Sequence, residues 1–495
     1  MKKVRRPPAL KSAVAGGSDS RSRIDAAGRV VFSENGVVPR TSEGGVQGRA
    51  VEHSSDVGGD APSLRRRAGA GEESVRGGRP PASADASRRS HAAGRAALAA
   101  LVLFGFLPAA SAVADDSRLD GAIGKALFER AWVPAPSSTS ANDGLGPLFD
   151  ARSCSACHPG GAGHGATALD AKGGPVGLGM VLSLFRADGT GDPVYGHRLE
   201  TMTLPGVPAE GAFTVKVQNG RRVARIDSFG YGPLDPDTHV SLRAAPDLRG
   251  RGKLERVDDA TILALEESES RNGDGISGRA RRFGTAEGGS TVGRFGWKAS
   301  HPTLAGQVSE AFSLDLGLST PLRPDPWGDC TPAQVACRNA PNGRDAQGAP
   351  EISAAIVDRI IAYLRALKVP KGDDDQRGAD LFAATGCAAC HRPLLPTRDG
   401  GTVMLHTDVL LHDMGEGLAD PAGVPGAAAA EWRTAPLAGI SGALARGAGL
   451  LHDGRAADVA GAVSWHGGEA ARARGRFDAL DARDRERLID YVSSL

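Results

Sequence analysis

Four of the chain's six cysteines fall into two copies of one pattern, Cys154-Ser-Ala-Cys157-His158 and Cys387-Ala-Ala-Cys390-His391. Two thiols three residues apart share one helical turn, and an imidazole follows directly. This spacing lets both sulfurs reach the two vinyl groups of one porphyrin while the histidine is delivered to the iron. Zinc knuckles and thioredoxin-like dithiols also use Cys-x-x-Cys, but neither needs the adjoining histidine, which is present both times here. The pattern predicts two covalently bound haem c groups, attached at Cys154, Cys157, Cys387 and Cys390, with His158 and His391 as iron ligands. Such a chain has to fold around two rigid apolar plates.

The rest of the composition agrees with that constraint. Large apolar side chains are scarce, with aromatic residues at 4%, while Gly is abundant at 68 residues. A loop-rich fold of this kind gains from a flat apolar cofactor in its core. A formal net charge of +1 over 495 residues implies neither nucleic acid nor an anionic membrane surface as a partner. The two remaining cysteines, Cys330 and Cys337, lie in a Pro- and Gly-rich loop and predict a short structural disulfide in an oxidising compartment.

Residues 1–87 are rich in Gly, Arg, Ser and Pro and read as disordered or as a misplaced gene start, with translation beginning near Val75. Arg88, Arg89 and Arg95, the apolar run Ala96–Leu107 and the small residues Ala110–Ala114 then form a secretory signal peptide over 88–114. Its apolar run is too short to span a bilayer comfortably, so the mature chain is expected in the periplasm with no permanent membrane span.

The mature chain reads as mainly α, with two cytochrome c-like domains at 115–370 and 371–495. The first carries a loop- and strand-rich insertion over about 165–290, with strands at Ala212–Val217 and Gly220–Ile226. Gly121–Arg130 predicts an opening helix. Ile352, Ile356, Val357, Ile360, Ile361, Leu364 and Leu367 predict an amphipathic helix over 351–367, between Pro350 and Pro370. Gly378–Ala384 predicts the helix before the second motif, and Leu480, Leu488, Val492 and Leu495 a C-terminal helix to pack across it.

Several longer stretches carry a family likeness. Gly293-Arg-Phe-Gly-Trp-Lys-Ala299, Asn272-Gly-Asp-Gly-Ile-Ser-Gly-Arg279, Thr407-Asp-Val-Leu-Leu-His-Asp-Met-Gly415 and Leu451-His-Asp-Gly-Arg455 resemble the di-haem oxidoreductases, relatives of the bacterial di-haem cytochrome c peroxidases. The likeness covers roughly 118–495. It implies that Trp297 relays electrons between haems and that Gln307, ten residues on, lies in the peroxide pocket. It also implies a distal iron ligand fourteen residues after His452, which is His466, so His391 and His466 become an axial pair. The peroxidases' proton-handling Glu falls on Gly317, with Asp315 and Glu310 nearby but out of register. For the first haem, His164, His197 or no side chain at all completes the iron. His412 and Met414 lie beside the second haem and are expected to shape its pocket, and Asn272 and Asp274 resemble the start of a calcium loop.

The expected function is that of a periplasmic di-haem oxidoreductase. Electrons from a small cytochrome or cupredoxin enter at the C-terminal haem and reach a substrate such as hydrogen peroxide at the N-terminal one. The alternative is a di-haem electron carrier with both irons closed.

Overall fold

The computed structural model describes residues 109–495, apart from 140 and 162, together with two paired strands, Arg23–Ile24 and Val30–Val31. Apart from those strands, the segment read as disordered or misplaced (1–87) lies outside the described residues. So does most of the leader (88–114), of which only the backbone from 109 onward enters, in the helix Ala109–Glu129.

The expectation of a mainly α molecule built as two cytochrome c-like domains is overturned. Among the described residues helix makes up 31% and strand 18%, the strands are spread over several small sheets, and two cytochrome c domains do not emerge. Strands recur beyond the insertion, where Leu394–Pro396 pairs with Thr402–Met404 and Leu411–Asp413 with Glu431–Arg433. Three-residue strands are too short to display an alternation that sequence reading can register. The main apolar core also ignores position 370: Leu395, Val403, Leu405, Leu410 and Ala438 are buried in it with Leu127, Phe128, Phe312 and Ile360.

In the insertion, Gly211–Gln218 and Arg221–Phe229 form a hairpin around Asn219-Gly220, with φ of 51° and 76°. Positive φ at both central residues is what the twist of paired strands demands, and Asn-Gly tolerates it. Beside it stands a three-stranded antiparallel sheet in which Met180–Phe185 is flanked by Arg198–Leu199 and His239–Ala244. Leu182, Leu184, Leu199 and Leu242 bury one side of it. The sheet ends at Ala244, whose N–H donates to the His452 carbonyl at 2.7 Å and whose carbonyl accepts from Trp297 Nε1 at 3.0 Å. A strand terminus thus fixes two residues of the site.

The predicted amphipathic helix runs Ala354–Ala366, capped by the Ser353 hydroxyl and buried through Val357, Ile360, Ile361 and Leu364. Glu351 stays outside because its carboxylate accepts from Ser319 N at 2.7 Å and Gly343 N at 3.0 Å. Further on, the helix Gln376–Thr385 crosses the C-terminal helix Ala482–Ser494 at Gly378. A Cβ there would sit 2.5 Å from that of Tyr491, so only glycine permits the approach. The Cys330–Cys337 disulfide is formed, with Cα atoms 6.3 Å apart, and is buried with Leu148 and Val207.

Candidate functional site

The crossing of those two helices delivers the second cysteine motif. Gly386 ends the helix Gln376–Thr385 with φ 95°, and Cys387–Ala389 continues as a tight turn in which His391 N donates to Cys387 O at 2.9 Å. Both sulfurs and the imidazole therefore lie along one turn. They line a cavity of about 440 Å³ that is also lined by Trp297, His164, His412, Met414, Trp432, His452 and His466.

Across this cavity His391 and His466 face each other with ring centroids 6.5 Å apart. His391 Nδ1 lies 3.2 Å from the His406 carbonyl and His466 Nδ1 2.8 Å from the Ala462 carbonyl. A carbonyl only accepts, so each Nδ1 carries the proton and each Nε2 keeps its lone pair. Burial, reinforced by His466, lowers the His391 pKa to about 4, and burial lowers that of His466 as well. Two neutral imidazoles with free Nε2 atoms on opposite sides of an apolar slot beside two cysteines match what a haem requires.

The first motif is built differently. Ser153 caps the single turn Cys154–Cys157 by accepting from Ala156 N at 3.2 Å, and His158 N donates to Cys154 O at 3.0 Å. His158 is also neutral, its pKa lowered to about 4 chiefly by burial. Its Nδ1, however, is buried without a hydrogen-bond partner. Burial pushes the Cys154 thiol up to about 12 and the Cys387 thiol up to about 11, which opposes the reactive thiolate chemistry of a redox dithiol.

Around the first motif lie carboxylates. Asp315 pairs with Arg198 and carries an electrostatic effect on both Cys154 and Cys157. Asp150 is raised to about 7 by burial, against the pull of Arg198. Glu310 is committed to His301 at 2.7 Å and Arg323 at 3.1 Å. Gly317 ends the helix Leu304–Leu316 with φ 67°, and a Cβ there would come within 2.6 Å of Gly146 Cα. A glutamate cannot occupy that position without moving two backbones, which explains the departure from the peroxidase pattern.

Of the expected relay pair, Trp297 lines the cavity, anchored through Nε1 to Ala244 O. Gln307 is not among the cavity-lining residues; its Oε1 is buried without a partner beside Gly296. His164 is buried, lies close enough to influence His158, and points its Nδ1 at the Gly165 carbonyl at 3.1 Å. His197 instead makes a half-exposed pair with Asp329 at 3.1 Å. His412 has both ring nitrogens taken, by Asp408 at 2.9 Å and Glu469 at 2.7 Å, so it shapes the wall. Asp274 Oδ1 accepts from Ile276 N at 2.9 Å, and its carbonyl accepts from Arg472 at 2.6 Å.

Sequence reasoning used His452 only as a marker from which to count. In the structure it stacks on Trp432, centroids 3.8 Å apart and planes 9° off parallel, while Lys298 Nζ stands 3.8 Å from the Trp432 centroid. Asp420 anchors this wall, 2.7 Å from Arg243 and 3.3 Å from Lys298. Two aromatic residues on separate strands and loops leave no local pattern that announces such a stack.

Comparison with known proteins agrees with the geometry. No curated protein matches the chain. Among solved structures, a xenon-pressurised hydrazine synthase of Kuenenia stuttgartiensis overlaps 52% of this chain and 73% of its own at 17% identity and a TM-score of 0.23, too low to carry any argument. Residues 232–495 match the family described as "Di-haem oxidoreductase, putative peroxidase". That match spans more than half the chain and takes in the second cysteine motif, Trp297, His412, His452 and His466, so the protein belongs to the di-haem oxidoreductase family.

Proposed function

We propose that the protein is an exported c-type cytochrome oxidoreductase with one haem covalently held at each Cys-x-x-Cys-His motif. The observation that carries this reading is the opposition of His391 and His466, each with Nδ1 bonded to a carbonyl and Nε2 free across a slot lined by Cys387 and Cys390. Haem, when bound, supplies the one-electron chemistry. The chain supplies two neutral imidazoles to close the C-terminal site and Trp297 beside the cavity as the relay toward the N-terminal motif. Near that motif, Asp150 and Asp315 are the carboxylates that would hold or move a proton for a substrate such as hydrogen peroxide, while Gln307 keeps an unpartnered amide oxygen beside Gly296. A small cytochrome or cupredoxin is the electron donor in this scheme. Action in the periplasm is supported by the leader-like segment and the formed disulfide, and no helix among the described residues is long and apolar enough to cross a membrane.

A closed electron carrier is favoured by one observation: His164 is buried with its Nδ1 on the Gly165 carbonyl and lies close enough to His158 to influence it electrostatically. Mass and pyridine-haemochrome measurements on the matured protein test the covalent haems, with two per chain expected. The ferric spectrum with cyanide then separates the readings. A high-spin component that binds cyanide supports the oxidoreductase, and two low-spin haems that stay closed after partial reduction support the carrier. His466→Ala should convert the C-terminal haem from low to high spin and leave its attachment intact.

A further inference from the structure

The cavity's polar wall holds more positive charge than its own carboxylates account for. Arg433 is 6% exposed; its Nε donates to Gly296 O at 2.9 Å and its Nη1 to Thr434 O at 3.0 Å, so both of these partners are neutral carbonyls. Arg251 lines the same cavity, with Nε donating to Asp247 O at 2.9 Å, while its Nη1 is buried with no hydrogen-bond partner. The two acids nearest them are already occupied. Asp247 binds Arg249 through Nε at 2.9 Å and reaches Arg446 at 3.5 Å. Asp408 binds His412 at 2.9 Å and Leu410 N at 2.9 Å. Burial, with each other's charge adding to it at Arg433, lowers the Arg251 pKa to about 10 and that of Arg433 to about 9.

A desolvated cation whose nearby carboxylates, here Asp247 and Asp408, are committed elsewhere is costly to bury, and guanidinium groups bind carboxylates and phosphates bidentately. Two such groups facing one slot call for an anionic ligand inside it. We propose that Arg251 and Arg433 form a clamp for the carboxylate side chains of the haem held at Cys387–His391. The proposal rests on the haem reading above. It places the two guanidinium groups in the wall of the cavity that Cys387 and Cys390 also line, where they take the acidic edge of a plate held at the cysteines. Because Arg433 is tied through Nε to Gly296 O and through its backbone N–H to Trp297 O at 3.0 Å, the clamp also fixes the haem's acidic edge against the turn that carries Trp297.

The test uses the full, matured protein and its Arg251→Gln, Arg433→Gln and Arg433→Lys variants. Haem content is measured first, so that a failure of the haem reading, fewer than two haems in the unaltered protein, is told apart from a failure of the clamp. In an equilibrium redox titration, each Gln variant should shift the ferric-to-ferrous ratio of the C-terminal haem at least tenfold toward ferric, which is 59 mV for a one-electron couple, because a cation that opposes the ferric charge is lost. The Lys variant should recover most of the shift. Variants with both haems bound and potentials unmoved would overturn the clamp. Should the Gln variants fail to mature, a crystal structure of the unaltered protein decides the matter: haem carboxylates on the two guanidinium groups support the clamp, and carboxylates turned away from both refute it.

Discussion

The two cysteine motifs share five-residue spacing yet sit in unlike surroundings. At Cys387–His391 the imidazole is oriented by a carbonyl, a second imidazole faces it at 6.5 Å, and the slot is ready-made. At Cys154–His158 the imidazole Nδ1 has no partner, and the neighbourhood is one of carboxylates and Arg198. On the proposed reading, the motif specifies attachment only and the surroundings decide the rest. On that reading the surroundings differ, with His466, distant in sequence, and two arginines in one case and Asp150, Asp315 and Arg198 in the other.

The largest effect expected is the loss of one site altogether. Replacing Cys387 and Cys390 together by Ala should remove one haem from the mass of the matured protein and leave the other attached at Cys154 and Cys157. A product still carrying two haems would erase the distinction between the sites.

Next in size is Gly317→Glu, which restores the peroxidase carboxylate on paper. Left-handed backbone costs a non-glycine residue about 1–2 kcal/mol, and overlap with Gly146 adds about 1–3 kcal/mol. Urea unfolding should report a loss of roughly 3 kcal/mol in all. A variant of full stability with faster peroxide turnover would show that the first site tolerates the family's acid after all.

Smaller is the acid sensitivity of the second site's wall. Burial would raise the Asp420 pKa, but Arg243 and Lys298 override it and hold it at about 2, against 3.8 when unfolded. A depressed carboxylate stabilises the fold above its unfolded pKa, and that contribution is lost as pH falls from about 4 through about 2. Nearly two pKa units correspond to about 2.5 kcal/mol. Asp420→Asn should therefore lower stability at pH 6 by that order and by little at pH 2. Equal losses at both would mean that the wall is held by packing alone.

The smallest is Trp297→Phe. Transfer between the haems, followed after flash reduction, should slow about tenfold, equivalent to about 1.4 kcal/mol of barrier, with both spectra unaltered. An unchanged rate would leave the two sites without this relay.

The features that the sequence made legible are those with short, rigid spacing. The two motifs, the amphipathic helix, the disulfide and the strands near 212–217 and 220–226 all depend on neighbours within a few residues. The content of secondary structure was misjudged because Leu394–Pro396 and Leu411–Asp413 are strands through pairing with distant partners and not through any pattern of their own. Arg251, Arg433 and the Trp432–His452 stack were likewise illegible, since each draws its meaning from a cavity assembled by loops far apart in the chain.

The shared interior that runs past position 370 has a practical consequence. Leu395, Val403 and Leu410 are buried among Leu127, Phe312 and Ile360. Severing the chain near Pro370 would strip both pieces of that common filling, so neither is a sound fragment for separate expression. Cys154 packs against this shared interior, whereas Cys387 packs against a second apolar cluster with Leu381, Phe382 and Leu488, so a cut near Pro370 would disturb the surroundings of the first motif directly.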